Sequence, residues 1–183
     1  MDAVVIGASA GGVDAIGALL TALPATFAPA VLVVLHIPAD RESLLIAVLG
    51  PRCALRVCEA ADKQQIVPGN VYIAPPGYHL LVEPDATLAL SLDAPVHYSR
   101  PSIDVLFESA AYAFHERVIG IVLTGANADG AQGLAAIRQM GGQAWVQAPE
   151  TAYASVMPQS ALEHAGADWT GALSDMAALL AAL

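Results

Sequence analysis

Three uncharged apolar runs, Ala3–Ala8, Ala30–Leu35 and Val118–Leu123, set what this chain can fold into. None alternates polar with apolar positions, so each reads as a strand buried on both faces. Such strands belong to parallel sheets covered by helices on both sides. Each run gives way to small residues and one polar side chain. Ser9 follows the first in Gly7-Ala8-Ser9-Ala10-Gly11-Gly12. His36 follows the second in Leu35-His36-Ile37-Pro38. Asp129 follows the third in Thr124-Gly125-Ala126-Asn127-Ala128-Asp129-Gly130. In an open parallel sheet, the loops beyond the carboxyl ends of the strands share one edge, where ligand sites lie. Ser9, His36 and Asp129 are therefore expected to meet. Nucleophile, general base and orienting carboxylate are the three roles a serine hydrolase needs.

The segments between these runs supply the covering helices. Residues 11–23 place Val13, Ile16, Leu19, Leu20 and Leu23 at helical spacing before Pro24. Further helices are expected over 42–49, 103–115 with Ser102 as cap, 131–140 with Gly141-Gly142 as stop, 158–165, and 175–183 after Ser174. Strands are expected over 55–59, 71–74 and 144–147. The middle departs from strand–helix alternation: 80–83 and 87–90 read as a hairpin around Pro84-Asp85-Ala86. The expectation is one domain over 1–183, a three-layer α/β/α sandwich. Its mostly parallel, doubly wound sheet would carry an antiparallel hairpin insertion.

Composition narrows the partners. Of 183 residues, 56% are hydrophobic and 13% charged, enough apolar material for one large core. The formal net charge of −10 opposes binding to a nucleic-acid backbone or an anionic membrane. The longest apolar stretch, 28–35, is far below the ~20 residues of a membrane span. The first residues lack the basic region of a secretory signal. Cys53 and Cys58 fit no zinc or redox spacing, so no metal site is expected and both thiols are read as reduced. The expected location is the cytoplasm.

Each polar residue also has a plainer reading. Gly7-x-Ser9-x-Gly11 matches a nucleophile elbow, in which a tight strand-to-helix turn exposes the serine hydroxyl. The same turn could cradle phosphate or cap a helix, although Gly-x-Gly-x-x-Gly is absent. A lone histidine after a strand is often structural, and an aspartate before a helix is often its N-cap. The chain order Ser…His…Asp matches neither the α/β-hydrolases nor the common serine proteases. His79, His97, His115 and His164 are read as surface or structural.

Five segments in order then resemble one family. Gly7 to Gly12, His36-Ile37-Pro38, Val71 to His79, Arg100 to Phe107 and Leu123 to Gly130 resemble the motifs of CheB-type chemotaxis protein-glutamate methylesterase catalytic domains. The resemblance spans essentially the whole chain. It implies a cofactor-free enzyme that hydrolyses γ-glutamyl methyl esters on the cytoplasmic helices of chemoreceptors, releasing methanol, with glutamine deamidation as a second activity. By position, Ser9 is then the nucleophile, His36 the base and Asp129 the orienting acid. Ala10, Gly11, Ala126, Asn127 and Arg100 are candidate oxyanion or substrate-pocket residues. The N–H groups after Ser9 and in the 125–127 loop are the expected oxyanion donors. Ala10 stands where many relatives have Thr; Ala126 and Asn127 stand where Met and Gly are common. The family's N-terminal receiver domain has no counterpart here, so a stand-alone catalytic domain is expected, with phosphorylation control reaching it through a separate receiver protein. The alternatives are a serine esterase or amidase on a non-receptor substrate, a catalytically weak receptor-binding module, and a nucleotide-binding domain.

Overall fold

The computed structural model describes residues 1–37 and 44–183. In chain order its strands are β1 (Ala3–Ala8), β2 (Ala30–Leu35), β3 (Arg56–Glu59), β4 (Asn70–Ile73), β5 (His79–Val82), β6 (Leu88–Ser91), β7 (Val118–Val122), β8 (Gln143–Gln147) and β9 (Trp169–Gly171). The α-helices are α1 (Gly12–Ala22), α2 (Leu45–Leu49), α3 (Ile103–Phe114), α4 (Ala131–Gln139), α5 (Val156–His164) and α6 (Leu173–Ala181). Seven strands form one sheet in the order β3-β4-β2-β1-β7-β8-β9. Every neighbouring pair in it is parallel. Strands β5 and β6 form the expected antiparallel hairpin as a separate ribbon.

The two faces of the sheet bury two cores. Along β1, Val4, Ile6 and Ala8 face α1 and α6 with Ile16, Leu19, Met176 and Leu180. Ala3 and Val5 face the other core, with Leu106 and Phe107 of α3, Leu134 of α4 and Met157 of α5. The strand period of two thus divides a continuous apolar run between two helix layers. The hairpin adds Leu80, Val82 and Leu88 to the α3 side.

Glycine makes one close approach possible. A Cβ on Gly7 would lie 2.3 Å from Ile103 Cγ2, and one on Gly130 would lie 2.8 Å from the same atom. Ile103, the first residue of α3, fills the space that both glycines leave. The start of α3 is thereby drawn against the ends of β1 and β7.

Four expectations need correction. Strand β9 was not anticipated: three residues are too few to show a pattern. Pairing makes it a strand, because it lies parallel to β8 and the Trp145 and Trp169 rings pack 5.8 Å apart. Helix α5 starts at Val156, ahead of Pro158. That proline is the third helical residue, where its missing N–H has no partner to lose. Helix α6 starts at Leu173 with Ala172 as N-cap, so Ser174 lies inside it. Ser102 occupies the N-cap position of α3 without using its side chain as the cap. Residues 42 and 43, the expected start of the helix before Gly50, and Pro38 lie outside the described residues.

Candidate active site

Strand order reverses at β1, which has β2 on one side and β7 on the other. At such a switch point the following loops diverge and leave a crevice. The three expected residues follow these three strands. Ala8 pairs with Leu35, so Ser9 and His36 are the next residues of adjacent strands. The His36 N–H donates to the Ala8 carbonyl (3.2 Å), and the Ser9 N–H donates to the Thr124 carbonyl (2.9 Å). Ser9 is therefore held between the ends of β2 and β7.

Asp129 meets His36: its Oδ2 lies 2.7 Å from His36 Nε2. The His36 side chain is 11% exposed and that of Asp129 is 0% exposed. The carboxylate is sealed while the imidazole reaches the surface. Burial alone would push Asp129 above the ordinary carboxylate range. The hydrogen bond from His36, the N–H groups of Asp104 and Ile103, and the Ser102 hydroxyl outweigh it and hold the group below that range. Those contacts measure 3.0 Å for Asp104 N, 2.7 Å for Ile103 N and 2.8 Å for Ser102 Oγ.

Asp129 is thus a helix cap, but of α3 rather than of the helix that follows it; α4 has Gly130 as its N-cap. Its negative charge sits at the positive end of α3. Ser102 donates its hydroxyl to Asp129, which is why it does not cap its own helix.

Supporting contacts come from residues with no part in the site expected from the sequence. Thr124 Oγ1 donates to the Ala10 carbonyl at 2.8 Å and accepts the Ala154 N–H at 2.9 Å, tying the Ser9 turn to a distant loop. Gln147, at the end of β8, accepts the Thr124 N–H (3.0 Å). His79 is buried, accepts the Ser102 N–H at Nδ1 (3.2 Å) and faces the Ala94 carbonyl with Nε2 (3.1 Å). A polar residue directly after or at the end of an apolar strand was the available signal for Thr124 and Gln147.

The remaining candidates are distributed around this centre. Gly11 has φ +77° and opens α1, with Tyr153 lying over it. Ala10 and Gly11 are half-buried, Ala126 is exposed and Asn127 is half-buried. The Asn127 side chain accepts the Asp129 N–H (3.2 Å). The Gly125 N–H donates to the Ala154 carbonyl (3.0 Å), so that member of the 125–127 loop is already committed. Arg100 Nη1 donates to the Leu92 and Asp93 carbonyls (2.8 and 3.0 Å). A groove of ≈ 400 Å³ runs past this centre, lined by His36, Ile37, Pro95, Tyr98, Ser99, Arg100 and Pro101.

His97, Asp104 and Asp129 bring possible metal-ligand atoms within 4.8 Å of one another. The Asp129 carboxylate is taken up by contacts within the protein. Asp129 accepts four hydrogen bonds, and Asp104 Oδ2 lies 3.3 Å from His97 Nε2.

With this geometry in place, the similarity to known proteins is specific. A family profile described as CheB methylesterase matches residues 4–180. The chain belongs to the CheB methylesterase family. A relative from Leptospira interrogans, described as a putative protein-glutamate methylesterase/protein-glutamine glutaminase, is 45% identical over 97% of this chain and 92% of its own length. The protein-glutamate methylesterase/protein-glutamine glutaminase of Chromohalobacter salexigens is 40% identical over 97% of this chain, which spans only 51% of that relative. The crystal structure of the Thermotoga maritima CheB methylesterase catalytic domain superposes with a TM-score of 0.94 at 29% identity, covering 99% of this chain and 97% of that one. The parallel sheet with its hairpin is therefore the CheB catalytic-domain fold.

Proposed function

We propose that this chain, as one catalytic unit over 1–183, hydrolyses γ-glutamyl methyl esters on the cytoplasmic helices of chemoreceptors and deamidates glutamine side chains at the same site. The family and the names of its members support the reaction class. The observation that carries the residue roles is the 2.7 Å contact between His36 and a sealed, four-fold hydrogen-bonded Asp129 beside the Ser9 turn.

In this reading Asp129 engages His36 Nε2 and leaves Nδ1 to face the Ser9 hydroxyl. His36 takes the Ser9 proton as Oγ attacks the ester carbonyl carbon. It returns that proton to the departing methoxide, and methanol leaves an acyl-Ser9 ester. Water, deprotonated by His36, then cleaves that ester to give the glutamate side chain and free Ser9. Glutamine follows the same path with ammonia as the leaving group. The N–H groups of Ala10 and Gly11, at the positive end of α1, are the candidate oxyanion donors, together with those of Ala126 and Asn127. Arg100 lines the groove, and among the described residues no carboxylate forms an ion pair with it. Tyr98, 104% exposed, lines the groove, and Tyr153, 84% exposed, lies over Gly11; both offer contact area to a helix rather than to a small ester. The receptor helices place the enzyme in the cytoplasm, and a separate receiver protein is its proposed route to phosphorylation control.

The test is methanol release from a methylated receptor cytoplasmic domain. Ser9→Ala is expected to lose roughly 10³-fold or more in rate, the scale of removing a triad nucleophile. Equal rates for the two proteins, or none from either, would overturn this reading.

A further inference from the structure

Behind Asp129 lies a second buried carboxylate that the mechanism above does not use. Asp104 is 3% exposed and is the second residue of α3. Its main-chain N–H donates to Asp129 Oδ1 at 3.0 Å. Its side-chain Oδ1 accepts the N–H of Gly133, the third residue of α4, at 2.7 Å. Asp129 stands just before α4 and caps α3; Asp104 stands at the start of α3 and caps α4. Each carboxylate thus satisfies unpaired N–H groups at the positive end of the other's helix. The helices touch at this point: a Cβ on Gly133 would lie 2.5 Å from Phe107 Cβ and 2.9 Å from the Asp104 carbonyl oxygen.

The other oxygen of Asp104 has no hydrogen-bond partner among the described residues, yet it is buried. His97 Nε2 lies 3.3 Å from it, without hydrogen-bond alignment. His97 is 38% exposed, so a solvent-reaching imidazole stands over a sealed carboxylate. Unlike the His36–Asp129 pair, the two are not hydrogen-bonded. The charged groups facing Asp104 are His97 from the loop before α3, Asp129 from the loop before α4, and Glu108 on its own helix.

We propose that Asp104 is a positioning residue for the esterase: the reciprocal capping of α3 and α4 by Asp129 and Asp104 fixes how the Asp129 carboxylate meets His36. The proposal rests on the roles of His36 and Asp129 given above. One cap alone would fix Asp129 to α3 and leave the loop that carries it free to pivot on α4. The second cap removes that pivot.

Two variants test the clasp. Asp104→Ala removes the α4 cap. Its kcat is expected to fall about tenfold, the scale of a sub-ångström misplacement, with KM unchanged because Asp104 does not line the groove. Asp104→Asn keeps an oxygen for Gly133. It is expected to recover most of kcat, because the amide oxygen keeps the Gly133 contact. A readout independent of turnover is the far-downfield proton resonance of the His36–Asp129 hydrogen bond. It is expected to broaden in Asp104→Ala and to stay sharp but displaced in Asp104→Asn. Both variants are measured as folded protein, checked by their urea midpoints. The proposal is overturned if both variants keep the wild-type kcat and downfield resonance. It is also overturned if Asp104→Asn loses as much kcat as Asp104→Ala. If wild type shows no Ser9-dependent methanol release, the esterase reading fails. The resonance then still decides the positioning role.

Discussion

Asp129 draws its four donors from two places far apart in the chain, His36 after β2 and residues 102–104 at the start of α3. The N–H groups of α3 would hold an amide oxygen nearly as well as a carboxylate. The imidazolium formed during catalysis needs the charge. Asp129→Asn is therefore expected to keep most of its thermal stability while methanol release falls roughly 10³- to 10⁴-fold, as for the orienting acid of other triads. An activity within tenfold of wild type would show that Asp129 is only a cap. At this scale the meeting of His36 with Asp129 was legible, because the loops after parallel strands share one sheet edge. Asp104 and His97 were not legible. An acidic residue in the first turn of a helix is commonplace, and a histidine in a loop signals nothing until its neighbour is known.

Among the elements, α3 depends on the residues it packs against. Gly7 has room for no side chain because Ile103 fills the space. Gly7→Ala is expected to lower stability by about 1–3 kcal/mol, the usual cost of overpacking a core. Adding Ile103→Val is expected to recover part of that loss, measured as urea midpoints of the two proteins. An unchanged midpoint for Gly7→Ala would show that α3 shifts freely. Strands β1 and β2 fall at the expected boundaries, since fully buried strands carry unmixed apolar runs. Strand β9 was hidden because it is settled by its partner β8 rather than by its own pattern, whereas α5 starts ahead of Pro158 because a first helical turn tolerates a residue without an N–H.

Across the whole molecule, the two clasped carboxylates pull stability in opposite directions with pH. Asp129 titrates below its ordinary value in the fold, so it contributes stability above that value and loses it as pH falls through its folded value. Asp104 is raised from 3.8 to about 6, first by burial and then by the Asp129 charge, against the pull of the Gly133 N–H. Its folded form holds the proton more tightly than the unfolded chain does. Its contribution is therefore complete below 3.8 and is lost as pH rises to about 6. Asp104→Asn, which cannot ionise, is expected to gain stability relative to wild type across that interval and to hold the gain above it. Urea midpoints of both proteins from pH 4 to pH 8 measure this. A difference that stays flat or falls would mean that Asp104 is not proton-loaded in the fold.

The sequence by itself determined the layered α/β architecture, the hairpin insertion and the edge on which Ser9, His36 and Asp129 gather. Those follow from hydrophobic period and from the shared carboxyl end of parallel strands, which are local facts. Tertiary structure alone decided that Asp129 caps α3, that Asp104 returns the cap to α4, that Thr124 holds the Ser9 turn and that Ile103 fills the space left by Gly7 and Gly130. Each of those pairs residues more than twenty positions apart. Hydrogen-bond partners and packing neighbours at that separation are set by how the helices dock on the sheet, and no local pattern encodes the docking.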